Sequence, residues 1–182
     1  MKLDNEPDRW GLIARTLHWT VAALVVTMLV LGWASELEEE RDRSLMLIRT
    51  HFQFGVIVFG LMILRLTWRL ARPVPVPPSA EPPWRERAAA TVHAVLYMLL
   101  LTMPVSGYII WIHMNAPMDV FGVLTLPRLF TPPVEDETLR AGAWYVHYFS
   151  GWILVALIGL HLSAALWHQF VARDGVLRRM LG

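Results

Sequence analysis

Residues 141–172 read AGAWYVHYFSGWILVALIGLHLSAALWHQFVA, with no Asp, Glu, Lys or Arg among them. As a helix rising 1.5 Å per residue, this stretch exceeds the roughly 30 Å hydrocarbon core of a bilayer. Trp144 and Trp167 lie near its ends, where interfacial anchors belong. Three more uncharged windows occur at 16–35, 50–64 and 88–118, and the four together hold more than half of the 182 residues. Only 17% of the residues are charged, against about 25% in soluble domains. The chain is therefore read as all-α, an integral membrane four-helix bundle.

The windows place helices at about 12–35, 45–70, 88–112 and 141–170, within a single membrane domain over 1–182. Basic Lys2, Arg9 and Arg15 precede the first apolar run, as in a cleaved leader. Acidic Asp4, Glu6 and Asp8 and the length of the run favour a retained helix. The second window reaches spanning length if Leu45–Ile48 and Leu66–Leu70 extend it, with Arg49 and Arg65 snorkelling to the interfaces. Pro104–Val105–Ser106–Gly107 predicts a kink or local unwinding in the third. The connector 71–87 carries six prolines between Pro73 and Pro83 and reads as extended polyproline rather than helix. The connector 113–140, with Pro117, Pro127, Pro132 and Pro133, reads as a structured loop on the end of the bundle.

Charge orients the bundle. Eleven of the sixteen basic residues fall on the side of both termini and the proline connector. The other two connectors hold five basic residues and nine of the fifteen acidic ones. The positive-inside rule puts both termini and the 71–87 connector in the cytoplasm. A net charge of +1 argues against nucleic acid as a partner. The absence of cysteine excludes disulfides, thiolate metal sites and covalently attached haem, leaving seven histidines as the soft ligands.

Ionisable groups inside membrane helices are costly and point to function. His147 and His161 lie about four helical turns apart, so at 100° per residue they share one face, roughly 21 Å apart along the axis. With the helices alternating in direction, His51 and His147 fall in an outer layer, and His18 and His161 in an inner one. Two imidazoles on facing helices at one depth are what a six-coordinate haem iron needs axially. Zinc fits less well, because each layer offers two nitrogens and no nearby carboxylate. A proton relay would normally include intramembrane Asp or Glu, and the windows contain none.

Arg65 lies about four helical turns after His51, hence at the inner layer, with Arg69 one turn beyond. Either guanidinium suits a haem propionate or a lipid phosphate. His93, near the cytoplasmic start of the third helix, could donate to a propionate or quinone carbonyl, or make a simple interhelical hydrogen bond. His168 reads as interfacial, His113 as exposed, and the nine methionines as core or lipid contacts.

Several pieces resemble one family. They are Leu17–His18–Trp19, Arg49–Thr50–His51, Ile63–Leu64–Arg65–Leu66–Thr67–Trp68–Arg69 and His93–Ala94–Val95–Leu96–Tyr97. Asn115–Ala116–Pro117 to Phe121–Gly122, His147, His161 and Ala164–Ala165–Leu166–Trp167–His168–Gln169–Phe170 complete the set. Over nearly its whole length the chain resembles the bacterial cytochrome b561 family, which is related to the cytochrome b subunits of nickel–iron hydrogenases.

The resemblance implies two noncovalent b-type haems in the bundle core, with His18, His51, His147 and His161 as axial ligands. It implies a bacterial inner-membrane protein that exchanges electrons with the quinone pool. One activity in the family is oxidation of superoxide at the outer face with reduction of ubiquinone. A haem-bearing anchor subunit, fed by a separate periplasmic dehydrogenase or cytochrome, is the alternative. Steering superoxide would need positive potential on an outer side that is mainly acidic. Arg49 and Arg140, close in sequence to His51 and His147, are the candidates for a local basic spot.

Overall fold

The computed structural model describes residues 2–76, 82–133 and 137–182. Four long helices dominate it: α1 (Leu12–Leu37), α2 (Arg41–Ala71), α3 (Pro83–His113) and α4 (Thr138–Trp167). All four are long and apolar enough to cross a membrane. Each packs on the next along the chain, and α1 also meets α4 through His18–His161 and Trp33–Trp152 ring contacts. The architecture is that of a membrane four-helix bundle.

What these helices bury is narrow. Only Ala143 and Leu154 are buried in α4, while Tyr145, Phe149, Ile153, Leu160 and Leu162 face outward and are at least half exposed. In water such a surface would drive aggregation, so its natural solvent is lipid. Inside, Val21 and Val25 of α1, Val58 and Met62 of α2, Leu99 of α3 and Leu154 of α4 form the central cluster.

Residues 83–87, which the proline content marks as non-helical, belong to α3. The reason is positional. Pro83 occupies the first helical position, where the missing N–H would lack an intrahelical partner anyway and the fixed φ suits a helix. Of the remaining connector, residues 77–81 lie outside the described residues. Pro104 does not unwind α3 either, since the helix continues through it to His113. Membrane helices tolerate such a proline because neighbours can satisfy the freed backbone.

The α3–α4 connector folds back over the bundle end. Its strands β1 (Asp119–Val120) and β2 (Leu124–Thr125) pair antiparallel. Met118 packs with Phe52, Trp111 and Ile112, and the rings of Phe52 and Trp111 stack at 4.5 Å. Trp111 Nε1 donates to the Pro117 carbonyl at 2.9 Å, and Arg128 donates to the Ala116 carbonyl at 2.7 Å. Residues 134–136 of this connector lie outside the described residues. At the opposite end, a π-turn over His168–Ala172 follows α4, and the short helix α5 (Arg178–Leu181) packs near the N-terminal segment.

Candidate functional site

Each long helix contributes to two depths of the bundle, and on every helix the two contributors are about four helical turns apart. The outer layer contains Gly32 of α1, His51 of α2, Gly107 of α3 and His147 of α4. The inner layer contains His18, Arg65, His93 and His161 in the same helix order. The interval is close to a whole number of turns, so the periodicity carries both contributors on one inward stripe.

In the outer layer the ring centroids of His51 and His147 are 6.0 Å apart. Both rings are oriented from behind by backbone. His51 Nδ1 donates to the Met28 carbonyl at 3.0 Å, and His147 Nδ1 donates to the Met103 carbonyl at 3.0 Å. A carbonyl only accepts, so these bonds put the proton on Nδ1 and leave each Nε2 lone pair available. Ser106 adds a contact, with its Oγ 3.1 Å from His147 Nδ1 and 2.9 Å from the Met103 carbonyl.

Glycine makes room for the rings. A Cβ at Gly107 would lie 3.2 Å from His147 Cε1, and one at Gly32 would lie 3.4 Å from His51. A cavity of about 940 Å³ opens here, lined by His51, His147, Gly32, Gly107, Leu126 and Trp144 among others. It matches the size of known cofactor pockets.

The inner layer is more polar. His18 and His161 are 6.3 Å apart between ring centroids, and the His93 ring lies 5.3 Å from that of His161. Arg65 is within electrostatic range of all three imidazoles. It donates to the Ala14 carbonyl at 3.2 Å and stands over the Tyr97 ring. Arg69 instead stacks over Trp10, 5.2 Å from the ring centroid, tying the N-terminal segment to α2.

The donor set can be tested against a haem. Two imidazoles bonded on opposite sides of one metal, each nitrogen about 2.0 Å from it, hold their centroids roughly 6 Å apart. Both histidine pairs have that separation, and the outer pair also has a cavity. A small bare cation fits less well. Among the described residues, no group of three or more His, Asp or Glu side chains converges to hold one.

The other sequence candidates resolve differently. His113 is half-buried rather than exposed, because the connector folds over it and Phe130 packs on its ring at 5.5 Å. His168 pairs with Asp174 at 2.5 Å. Burial opposes ionisation of that carboxyl, but hydrogen bonds from His168 and the Val176 amide hold it below the usual carboxylate value. Arg49 and Arg140 do not form a free basic spot. Arg49 Nη2 donates to both carboxylate oxygens of Asp119 at 2.8 Å, in strand β1 of the folded-back connector, and Arg140 pairs with Glu137. The sequence reading missed Gly32 and gave Ser106 and Gly107 only a backbone role. Their signal was available, since Gly32 follows His18, and Gly107 follows His93, by the same interval of about four turns.

Comparison with known proteins identifies the family. Residues 9–182 match the family model described as prokaryotic cytochrome b561. "Cytochrome b561 homolog 2" of Escherichia coli K12 is 32% identical over 183 residues, covering 100% of this chain and 96% of that protein. "Cytochrome b561 homolog 1" of the same organism is 29% identical, covering 91% and 92%. A "Probable superoxide oxidase CybB" of Yersinia pestis is 29% identical, covering 91% of each. With its four spanning helices and paired histidines, the chain belongs to the prokaryotic cytochrome b561 family of haem b electron-transport membrane proteins.

Proposed function

We propose that the chain binds two b-type haems, one between His51 and His147 and one between His18 and His161, and carries electrons across the inner membrane to or from the quinone pool. The observation that carries this reading is the pair of imidazole couples, 6.0 and 6.3 Å apart, at the two depths. The haems supply one-electron chemistry. His51, His147, His18 and His161 would hold the haems through ring nitrogens, the carbonyls of Met28 and Met103 fix the outer tautomers, and an apolar wall excludes water. Arg65 supplies positive charge for a propionate, while His93 offers a hydrogen bond to a propionate or quinone oxygen. Arg69, tied to Trp10, serves the same end of the bundle. Both termini and the 71–87 connector lie in the cytoplasm.

The test is haem per polypeptide together with the reduced-minus-oxidised spectrum. Wild type is expected to hold about two haems, and His161→Ala and His147→Ala about one each, because the lost imidazole leaves one iron without its axial partner. Unchanged haem content in both variants would overturn the assignment.

Superoxide oxidation is the activity suggested by the Yersinia relative, and the quinone pool is the acceptor in this reading. The carboxylate partners of Arg49 and Arg140 favour a second reading. With Arg49 and Arg140 held by carboxylates, the positive charge beside the outer histidines is reduced, which suits electron delivery by a periplasmic redox protein better than capture of a small anion. Superoxide-driven quinone reduction by the purified chain alone supports the first reading. Activity only with a co-purifying redox partner supports the second.

A further inference from the structure

A second cavity, of about 330 Å³, lies far from the outer histidines, where the N-terminal segment meets the chain after α4. Arg178 and Arg179 line it from one side, and Lys2, Arg9 and Asp4 from the other. Its acidic residues are engaged already. Glu6 is held by Lys2 at 2.5 Å and by Arg9 at 3.2 Å, Asp4 by Arg72 at 3.4 Å and Asp174 by His168 at 2.5 Å. Asp8 lies 3.8 Å from Arg9.

Arg179 stands out from this neutralised surround. Its Nη1 donates to the Val76 carbonyl at 2.6 Å, which anchors one corner of the guanidinium. Its Nε and Nη2 are buried and have no hydrogen-bond partner among the described residues. Those two atoms form one edge of the planar group, with two parallel N–H bonds suited to two oxygens of a single oxyanion. Leaving such an edge buried and unmatched is costly, so the fold around it is complete only with acceptors in place.

We propose that this cavity binds a phosphate-type anion on the Nε–Nη2 edge of Arg179, with Arg178 contributing long-range charge. Phosphate oxygens have the right spacing for the fork. The site sits just beyond the end of α4, the depth of phospholipid headgroups, and basic pockets at that depth hold anionic lipids. The same chemistry would accept free inorganic phosphate. Occupancy would lock together three remote segments, since Arg179 is already bonded to Val76 and Val76 donates to the Pro7 carbonyl at 2.9 Å. The proposal is independent of the haem reading.

The experiment titrates the purified full chain in neutral detergent with phosphatidylglycerol, phosphatidylcholine and inorganic phosphate, read by native mass spectrometry and by the rise in Tm. Wild type is expected to bind phosphatidylglycerol in preference to phosphatidylcholine. Arg179→Gln weakens that binding by about tenfold. Arg173→Gln, an exposed arginine outside the cavity, leaves it unchanged. Phosphate binding that depends on Arg179 identifies a free anion as sufficient; phosphatidylglycerol binding without it identifies a lipid headgroup. Should Arg179→Gln fail to fold, Arg179→Lys decides, because it keeps the charge and loses the fork. The proposal is overturned if the variants bind both anions as wild type does, or if wild type binds neither anion better than phosphatidylcholine.

Discussion

The two histidine layers are built on one plan and solved differently. Both draw one residue from each helix, at the same interval of about four turns, and both bring two imidazoles to about 6 Å. The outer layer gives its other two positions to glycines, and its imidazoles are held by the carbonyls of Met28 and Met103. The inner layer gives them to His93 and Arg65, and its rings lie against one another. The outer site is thus defined by space and the inner by charge. For an electron carrier the difference has a direction. A guanidinium near the inner site would favour the reduced state of a haem held there and so raise its midpoint potential relative to the outer one.

The largest effect is expected from filling the outer layer. Gly107→Leu would force its side chain into the His147 imidazole, since even a Cβ there lies 3.2 Å from Cε1. The outer haem should be lost with the inner one retained, read as a halved spectral amplitude. Loss of both or of neither would break the idea that the layers are separate. Next comes Arg65→Gln, which should lower the inner midpoint potential by tens of millivolts, on the order expected for one partly screened charge. A redox titration in which both components shift equally would place the charge effect on neither layer in particular.

Smaller effects follow from the orienting bonds. Ser106→Ala removes the Oγ beside His147 but leaves the Met103 carbonyl in place. About 0.5–1.5 kcal/mol of stability should be lost, with a small shift confined to the outer component. Smallest is Asp119→Asn. The Arg49–Asp119 pair is partly exposed, at 47% and 30%, so its loss should lower stability by less than about 1 kcal/mol. If superoxide is the donor, freeing Arg49 should also speed superoxide-dependent reduction, measured by stopped flow at low and high salt.

The spans were legible because charge is excluded from lipid, and four uncharged windows mark them without reference to any contact. Sharing of a face was legible too, since a spacing of about four turns returns a helix almost to the same azimuth. The partner of a glycine was not, because Gly32 and Gly107 have no side chain whose chemistry could announce what approaches them. Nor was the fate of Arg49, whose carboxylate lies 70 residues away in a strand that only the packed connector brings back. Proline content misled at 83–87 because the rule against proline applies within a helix and not at its first position.

From the amino-acid order alone come the class, the number of helices, their alternation and the sorting of four histidines into two depths. These follow from hydration and helical periodicity, both local properties of the chain. Which imidazoles face each other, which arginines keep a free edge and which are neutralised depend on segments far apart in sequence. Only the folded bundle decides them, because charge pairing and steric room are set by distances between helices rather than by spacing along one.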